Sequence, residues 1–308
     1  MPNYSKNIWF NGNITPFNKA KIHILSHCIH YGTGVFEGIK CYNTPKGPAV
    51  FKLTEHMERL HNSANNYKMK ISHSVEELCK GTVDLIKSNE LNESYIRPIA
   101  YYGYDTLGVH PKGCPVEVAI GTLDWGAYVG KEALTKGAQV TISPWKKFQS
   151  ESFPSSTKSS GTYLNSLLAV QDAKVRGFDE ALLLNLNDTV AEGSGQNFFI
   201  VKNGVFHTND ENSNILMGIT RKTVLTLIND LGMEYKIADI TQDDLYDADE
   251  AFFTGSASEI TPIRKIDNHI FSNGKAGKLT LKIQEMYYDI VRGKNNKYDS
   301  WLTYVNPQ

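Results

Sequence analysis

Long apolar runs, a strong charge of one sign and paired cysteines are all missing from this sequence. The chain has 308 residues and a formal net charge of −1, so it lacks the basic field that attracts nucleic acid or an anionic membrane. Its first residues contain no apolar core of a signal peptide, and no later apolar run approaches membrane-spanning length. We therefore expect neither a nucleic-acid partner nor a membrane partner.

Cysteine is present but not in the spacing of a structural site. Cys28, Cys41, Cys79 and Cys114 are scattered without a CxxC pair, which argues against disulfides and against a zinc ribbon. We expect a reduced, cytoplasmic protein. With 41% hydrophobic and 21% charged residues, the composition is typical of a globular enzyme, and the length predicts about two domains.

Several strands can be predicted from local patterns. Asn-Gly pairs between apolar runs predict hairpins over 8–15 and 198–207. The stretch "SYIRPIAYYG" alternates, which places Tyr95 and Arg97 on one face of a strand. Pro98 fits such a strand best near an edge or an irregularity, because proline has no N–H to donate.

Helices are predicted from capping signals and apolar periodicity. A helix over 54–68 would have Thr54 as its N-cap, and Ser74 and Glu77 have the spacing of a capping box at the start of the next helix. Further helices are expected at about 162–176, 219–231 and 276–291. Regular periodicity lapses over 122–137, which contains three glycines, and we place a domain junction there. The predicted fold class is α+β.

Two charged residues stand in unusual surroundings. Lys158, in "SSTKSSGTYLNS", is the only charged side chain between Glu151 and Asp172. A lysine that acts as an amine nucleophile is kept away from solvated charges, although a plain loop lysine is the more frequent case. Glu192 follows an apolar strand and precedes Gly-Ser-Gly. A surface acid would not need such a backbone, yet a loop acid remains an equal alternative.

Three segments could bind an anion. One is the start of a predicted helix, where backbone amides are free to bind phosphate. Another is the end of an apolar strand, where Gly255 and small hydroxyl residues also leave amides free. The third contains an arginine, whose guanidinium fork suits phosphate. The residues concerned are Gly218, Ile219, Thr220, Gly255 and Arg59. Each of these features taken alone is more often an ordinary cap, turn or surface charge.

A metal site and a dinucleotide site are both poorly supported. His23, His27 and His30 have helical spacing beside Cys28, but no HExxH pattern and no second ligand cluster accompany them. The stretch 32–38 imitates GxGxxG with one residue too many. We expect no metal.

The motifs taken together carry a family resemblance. In chain order they are "HYGTGVFEGIKCY", "HMERLHNSA", "YIRP", "WGAY", "K-SSGTYLNSL", "AEGSGQNFF", "GITR" and "TGSASEITPIR". They resemble the fold-type-IV pyridoxal-phosphate aminotransferases, and in particular the bacterial branched-chain amino acid aminotransferases. The similarity runs from about Ile8 to the "WLTYVN" tail. The chain departs from the family at Ser159 and Ser160, at Gln196, where Glu is common, and at Ser256, where Thr is common.

The resemblance implies an architecture and an assembly. It implies a small N-terminal α/β domain at 1–122, an interdomain linker loop at 123–134, and a large cofactor-binding domain at 135–308 with a mixed, barrel-like sheet. The smallest complete unit would be a homodimer, and a trimer of dimers is the larger alternative.

The resemblance also implies a cofactor, pyridoxal 5'-phosphate, and its ligands. Lys158 would hold the cofactor covalently and move the proton from the substrate Cα, and Glu192 would face the pyridine nitrogen. Tyr163 would hydrogen-bond the phenolic oxygen. The phosphate would be held by Arg59, Gly218, Ile219, Thr220 and Ser256.

The substrate contacts implied by the resemblance form a second set. The α-carboxylate would meet Tyr95 and the amides near Ser256 and Ala257. Phe36, Tyr163 and Trp125 would form the walls of the side-chain pocket. Arg97, Tyr31, Tyr128 and the Val109 amide would hold the side-chain carboxylate of glutamate, with Tyr31 and Val109 coming from the neighbouring subunit.

The implied reaction is transamination between branched-chain L-amino acids (leucine, isoleucine and valine) and 2-oxoglutarate, giving branched-chain 2-oxo acids and L-glutamate. Three alternatives stay open. Two belong to the same fold, a D-amino-acid aminotransferase and an aminodeoxychorismate lyase. The third is a catalytically silent regulator that binds a phosphate ligand.

Overall fold

The computed structural model describes residues 5–124 and 130–306. The chain divides into two compact units that interleave along the sequence. Unit 1 consists of Met1–Trp125, Thr157–Gly161 and Ile290–Gln308, and unit 2 consists of Gly126–Ser156 and Thr162–Asp289. The segment that carries Lys158 therefore belongs to unit 1, although the residues on both sides of it belong to unit 2. The linker expected at 123–134 lies partly outside the described residues and stays a prediction.

The strands are β1 (Asn7–Phe10), β2 (Asn13–Pro16), β3 (Gly34–Phe36), β4 (Ile39–Thr44), β5 (Gly47–Phe51), β6 (Ser94–Tyr102), β7 (Val116–Leu123), β8 (Ala138–Ile142), β9 (Glu180–Leu184), β10 (Val190–Gly193), β11 (Asn197–Lys202), β12 (Val205–Thr208), β13 (Tyr235–Ile237), β14 (Glu250–Gly255), β15 (Glu259–Ile266), β16 (His269–Ile270) and β17 (Leu302–Tyr304). The α-helices are α1 (His27–Tyr31), α2 (Leu53–Asn66), α3 (Val75–Ser88), α4 (Lys131–Lys136), α5 (Tyr163–Val175), α6 (Ile219–Asp230), α7 (Gln242–Tyr246) and α8 (Lys278–Val291).

Unit 1 is built on an eight-stranded sheet covered by two helices. The strand order is β17-β5-β4-β6-β7-β1-β2, and β3 pairs with β6 beside this path. Apolar side chains of α2 and α3, such as Met57, Leu60 and Leu85, are fully buried against Ile96 and Val118 of the sheet. Burial of this kind is the main favourable contribution to folding.

Pro98 interrupts the pairing on one side of β6, as predicted. On this side β4 covers Ser94 to Ile96, β3 covers Ile99 to Tyr101, and Pro98 lies between the two. Glu37 N still donates to Pro98 O over 2.9 Å. The missing N–H of the proline thus coincides with the break between β3 and β4 at Glu37 and Gly38.

Both predicted hairpins are confirmed. At the β1–β2 turn Asn11 and Gly12 have φ values of 44° and 89°, and at the β11–β12 turn Asn203 and Gly204 have 51° and 79°. Two successive left-handed residues define the type I′ turn, whose twist matches that of the strands.

The predicted helices are confirmed, with one correction to a cap. Ser74 and Glu77 form the expected capping box at α3. The prediction of Thr54 as N-cap is wrong, because α2 begins at Leu53 and its N-cap is Lys52, in a left-handed conformation with φ 54°. Lys52 N donates to Trp301 O over 2.8 Å, so the residue that precedes this helix is held by one that is distant in sequence.

Unit 2 contains a nine-stranded mixed sheet. Its order is β10-β9-β8-β15-β14-β11-β12-β13, with β16 beside β15. The core is rich in phenylalanine, and the rings of Phe199 and Phe252 stack with centroids 4.9 Å apart. The α+β prediction is confirmed in both units. No helix in the described ranges is long and apolar enough to cross a membrane.

Candidate active site

Lys158 lies on a short segment that runs along β3. Lys158 N donates to Ser63 Oγ over 3.1 Å, and Lys158 O accepts from Phe36 N over 3.0 Å. Ser159 forms a bridge with Val35. The Lys158 Nζ then lies 5.0 Å from the centroid of the Phe36 ring. These contacts bring the lysine to an aromatic side chain of the first sheet.

The surroundings of Lys158 favour its neutral amine. Burial of the ammonium, followed by the positive charge of Arg59, lowers the pKa of Lys158 to about 8, against the opposing influence of Glu37. A lysine with a lowered pKa presents a larger fraction of unprotonated nitrogen near neutral pH. This is the form that attacks a carbonyl carbon.

A buried ion-pair cluster stands next to this lysine. The side chain of Glu37 has no exposed surface, and its oxygens accept from Arg59 Nε at 2.6 Å and Arg59 Nη2 at 2.9 Å. His56 Nδ1 lies 2.7 Å from Glu37 Oε2. Burial alone would raise the pKa of Glu37, but the charges of Arg59 and His56 hold it well below its usual range.

Glu37 and His56 were missed by sequence reasoning. The available signal was Glu37 as the only charge in the stretch 34–39. Arg59, expected from the resemblance to hold a phosphate, directs two of its nitrogens at Glu37. A guanidinium fixed in this way is oriented in advance for a second anion.

Tyr95 and Arg97 lie on one face of β6, as predicted. Arg97 Nη2 donates to the Tyr95 hydroxyl over 3.1 Å, and its guanidinium carbon lies 4.7 Å from the Phe36 ring centroid and 5.2 Å from that of Tyr95. A Cβ on Gly38 would come within 2.0 Å of the Tyr95 hydroxyl oxygen. Only glycine at this position leaves room for the tyrosine.

Tyr31 and Val109 lie at the surface of unit 1. Their exposed fractions are 43% and 79%, and the Tyr31 hydroxyl donates to Leu107 O over 2.6 Å. His27, one of the histidines considered as a metal ligand, instead contacts Thr33 Oγ1 at 2.8 Å and Gly108 O at 2.9 Å. Both tyrosine and histidine thereby hold the loop that carries Val109.

Trp125 and Tyr128, also expected in the substrate pocket, lie outside the described residues.

In unit 2, Glu192 is buried and surrounded by donors. Lys147 Nζ lies 2.5 Å from its Oε1, while Oε2 accepts from Asn197 Nδ2 at 3.1 Å and from Leu216 N at 3.2 Å. Three donors from three chain segments fix the orientation of the carboxylate. Sequence reasoning missed Lys147 because it lies 45 positions from Glu192, and it missed Asn197, only five positions away, because no local pattern marks it as a partner of the carboxylate.

The start of α6 is suited to an anion. Its N-cap is Gly218, no side chain caps it, and its first turn contains no acidic residue. A Cβ on Gly218 would come within 2.0 Å of Asn197 Oδ1, so glycine allows the close approach. Ile219 and Thr220 follow in the first turn, where amides have no acceptor within the helix.

A second group of donors follows β14. Ser256 and Ala257 lie in the turn between β14 and β15 and are partly buried. The hydroxyls of Thr254 and Ser258 are buried and have no hydrogen-bond partner within the described part of the chain, which is the condition expected of groups that await a polar ligand. Tyr163 is partly buried at the first position of α5.

The chain is similar to known proteins over nearly its whole length. The family model for Amino-transferase class IV matches residues 34–266. The branched-chain-amino-acid aminotransferase of Escherichia coli strain K12 is 41% identical over 300 residues, which cover 97% of each chain. The Pseudomonas aeruginosa protein of the same name is 43% identical over 298 residues, again 97% of each chain.

Solved structures give the same result. The T.th. branched-chain amino acid aminotransferase with pyridoxamine 5'-phosphate superposes with a TM-score of 0.95 at 44% identity, covering 98% of this chain and 99% of that one. The Escherichia coli enzyme gives a TM-score of 0.96 at 40% identity, covering 98% and 100%. This chain therefore belongs to the class IV aminotransferase family.

Proposed function

We propose that this chain is a pyridoxal-phosphate-dependent aminotransferase that exchanges amino groups between branched-chain L-amino acids and 2-oxoglutarate. The observation that carries the proposal is Lys158, whose pKa is lowered to about 8 beside the Phe36 ring. Its support from relatives is the name shared by the Escherichia coli and Pseudomonas aeruginosa proteins over nearly the whole chain.

The residues present fit the parts of pyridoxal phosphate. A neutral amine at Lys158 suits an aldehyde, the buried Glu192 carboxylate suits a protonated ring nitrogen, and the amides of Ile219 and Thr220 suit a phosphate. Arg59 and Ser256 would add phosphate contacts, and Tyr163 would donate to the ring oxygen. When bound, the cofactor supplies a carbonyl carbon for the amino group and a ring that withdraws electrons from the substrate Cα.

The chain itself moves and holds the protons. The Lys158 Nζ would take the proton from the substrate Cα and pass it to the cofactor, and it would move the proton in the opposite direction in the reverse half-reaction, which a nitrogen with a pKa of about 8 can do near neutral pH. Glu192 would face the protonated ring nitrogen, and Lys147, Asn197 and Leu216 fix the position of its carboxylate for that contact.

One pocket has to accept leucine and glutamate in turn. Phe36 offers an apolar surface to an aliphatic side chain, and Arg97 offers a cation to a carboxylate. Arg97 is fixed by the Tyr95 hydroxyl and by two aromatic rings, so it need not move when an aliphatic substrate binds. Tyr95 and the amides near Ser256 and Ala257 would take the α-carboxylate that both substrates share.

The active form is a homodimer, alone or as a trimer of dimers. Tyr31 and Val109 would contribute to the pocket of the neighbouring subunit, and their exposure is consistent with this role. The mass of the assembly in solution tests this part of the proposal. A monomer with full activity would contradict it. The cytoplasmic location expected from the scattered cysteines stays a prediction.

The absorption spectrum of the purified protein tests the proposed function. We expect a yellow protein whose band is lost with L-leucine, restored with 2-oxoglutarate and unaffected by D-alanine. Lys158→Ala should remove the band and the turnover, and borohydride should no longer link the cofactor to the protein.

Other outcomes would point to the alternatives. Bleaching by D-alanine but not by L-leucine would indicate a D-amino-acid aminotransferase. Pyruvate release from aminodeoxychorismate would indicate the lyase, and the absence of a cofactor band would indicate a silent regulator.

A further inference from the structure

Asn197 is a buried side chain that contacts two functional segments of unit 2 at once. It lies at the start of β11, and only 4% of its surface is exposed. Its Nδ2 donates to Glu192 Oε2 over 3.1 Å and to Leu216 O over 2.7 Å. Both hydrogens of the side-chain amide are therefore used, one on the carboxylate and one on the segment that leads into α6.

The contacts form a closed cycle. Leu216 N donates to the same Glu192 oxygen over 3.2 Å, so Glu192, Asn197 and Leu216 contact one another pairwise. The other end of the amide reaches the helix start, because Asn197 Oδ1 lies 2.0 Å from where a Cβ on Gly218 would stand. The backbone of Asn197 pairs with Thr254 on β14, two residues before Ser256.

We propose that Asn197 is a positioning residue that sets the spacing between the Glu192 carboxylate and the first-turn amides of α6. The inference rests on the proposed function, in which one rigid cofactor reaches the carboxylate with its ring nitrogen and the amides with its phosphate. A ligand that is held at both ends gains from simultaneous contact only when the two sites have the right separation.

The chemistry of the cycle requires an amide. An aspartate would have the same size but no hydrogens to donate when ionised, and it would set a second negative charge beside Glu192. Serine can donate one hydrogen, and alanine none. Neither replacement can contact the carboxylate and the Leu216 carbonyl at the same time.

The matched control is Gln284, another buried side-chain amide of unit 2. Its Nε2 also donates two hydrogen bonds, here to the backbone carbonyls of Leu134 at 2.9 Å and Ile260 at 2.8 Å. Gln284→Ala therefore removes the same number of side-chain amide hydrogen bonds from the same unit. It leaves all contacts of Glu192 and of the α6 start in place.

The test uses the full chain, stripped of cofactor, and three probes measured by titration calorimetry. Pyridoxal phosphate engages both ends, pyridoxal engages only the carboxylate end, and inorganic phosphate engages only the amide end. For Asn197→Ala we expect a loss of about tenfold or more in affinity for pyridoxal phosphate, and less than about threefold for each single-ended probe. Gln284→Ala should leave all three affinities unchanged.

Three results would overturn the inference. They are an unchanged affinity of Asn197→Ala for pyridoxal phosphate, equal losses for all three probes, and the same losses in Gln284→Ala. If Asn197→Ala does not fold, Asn197→Ser is judged by the same three affinities. If the wild-type chain binds no pyridoxal phosphate, the proposed function itself is overturned. If the wild-type chain binds it and the Asn197 variant binds it equally well, only the role of Asn197 is overturned.

Discussion

Gln196 donates its side-chain amide to the buried carboxylate of Glu180, with Nε2 2.9 Å from Oε2. Burial raises the pKa of Glu180, against the hydrogen bonds from Ala181 N and Gln196. The family resemblance leads one to expect Glu at position 196. In this chain the amide gives Glu180 a neutral donor where a second carboxylate would otherwise face it.

Gln196→Glu should destabilise the protein at neutral pH by roughly 1–3 kcal/mol, because two buried carboxylates would compete for one proton. A carboxyl whose pKa is raised in the folded state contributes stability that is complete below its unfolded pKa and is lost as pH rises. The difference in free energy of unfolding between the variant and the wild type should therefore shrink as the pH falls from 8 to 5. Urea unfolding gives the measurement. A difference that grows on acidification would contradict this explanation.

Lys158→Met should stabilise the cofactor-free protein at pH 7. The pKa of Lys158 is lowered to about 8 in the folded chain. Between about pH 8 and 10.4 the unfolded chain therefore binds more protons than the folded chain, and the free energy of unfolding of the wild type rises with pH through that window. The free energy of unfolding of Lys158→Met should exceed that of the wild type by roughly 1–3 kcal/mol at pH 7, and this difference should decline towards pH 9.5.

The control for this measurement is Lys80→Met, since the Lys80 side chain is 78% exposed and pairs with Asp84 on the same helix. Its effect should be small and independent of pH over the same window. If Lys158→Met behaves in the same way, the Lys158 ammonium is not destabilised by burial.

Glu192→Gln should slow proton removal from leucine by roughly tenfold to a hundredfold, because loss of a charge-assisted hydrogen bond costs about 1.5–3 kcal/mol. The variant also leaves the Lys147 ammonium without its carboxylate at 2.5 Å. Single-turnover rates with leucine give the measurement. Lys146→Met is the control, since Lys146 pairs with Asp188 outside the candidate site. An unchanged rate in Glu192→Gln would show that Glu192 has no part in the mechanism.

Arg97→Met should damage the glutamate half-reaction and largely spare the leucine half-reaction. Arg97 is held against Phe36 and Tyr95. Because loss of one partner of a desolvated charge pair costs about 2–5 kcal/mol, the selectivity for glutamate over leucine should fall by roughly thirtyfold or more. Arg176→Met is a matched control, because Arg176 also lies over an aromatic ring, that of Phe178, but pairs with Asp172 at the surface. Equal losses in the two half-reactions would assign Arg97 a structural role.

Much of the candidate site was accessible from the sequence. The isolation of Lys158, the Gly-Ser-Gly after Glu192 and the helix opening at Gly218 are local features, and the alternation of β6 was enough to put Tyr95 and Arg97 on one face. The family resemblance then assigned these residues to one reaction. Sequence reasoning did not find Glu37, His56 and Lys147, which act on those residues through contacts between distant segments. It also did not find Asn197, whose contact with Glu192 spans only five positions.

Local sequence is enough to specify the turns at Asn11–Gly12 and Asn203–Gly204 and the capping box at Ser74, because these depend on the φ preferences and hydrogen bonds of a few neighbouring residues.

The pairing of the buried charges, in contrast, depends on how distant segments of the chain pack together. Arg59 pairs with Glu37 across 22 positions and Lys147 with Glu192 across 45, and α2 begins where Lys52 bonds to Trp301. A long charged side chain has several acceptors within reach in principle. The order of the strands and the burial of each carboxylate select one of them, because an unpaired charge in the interior is too costly to keep.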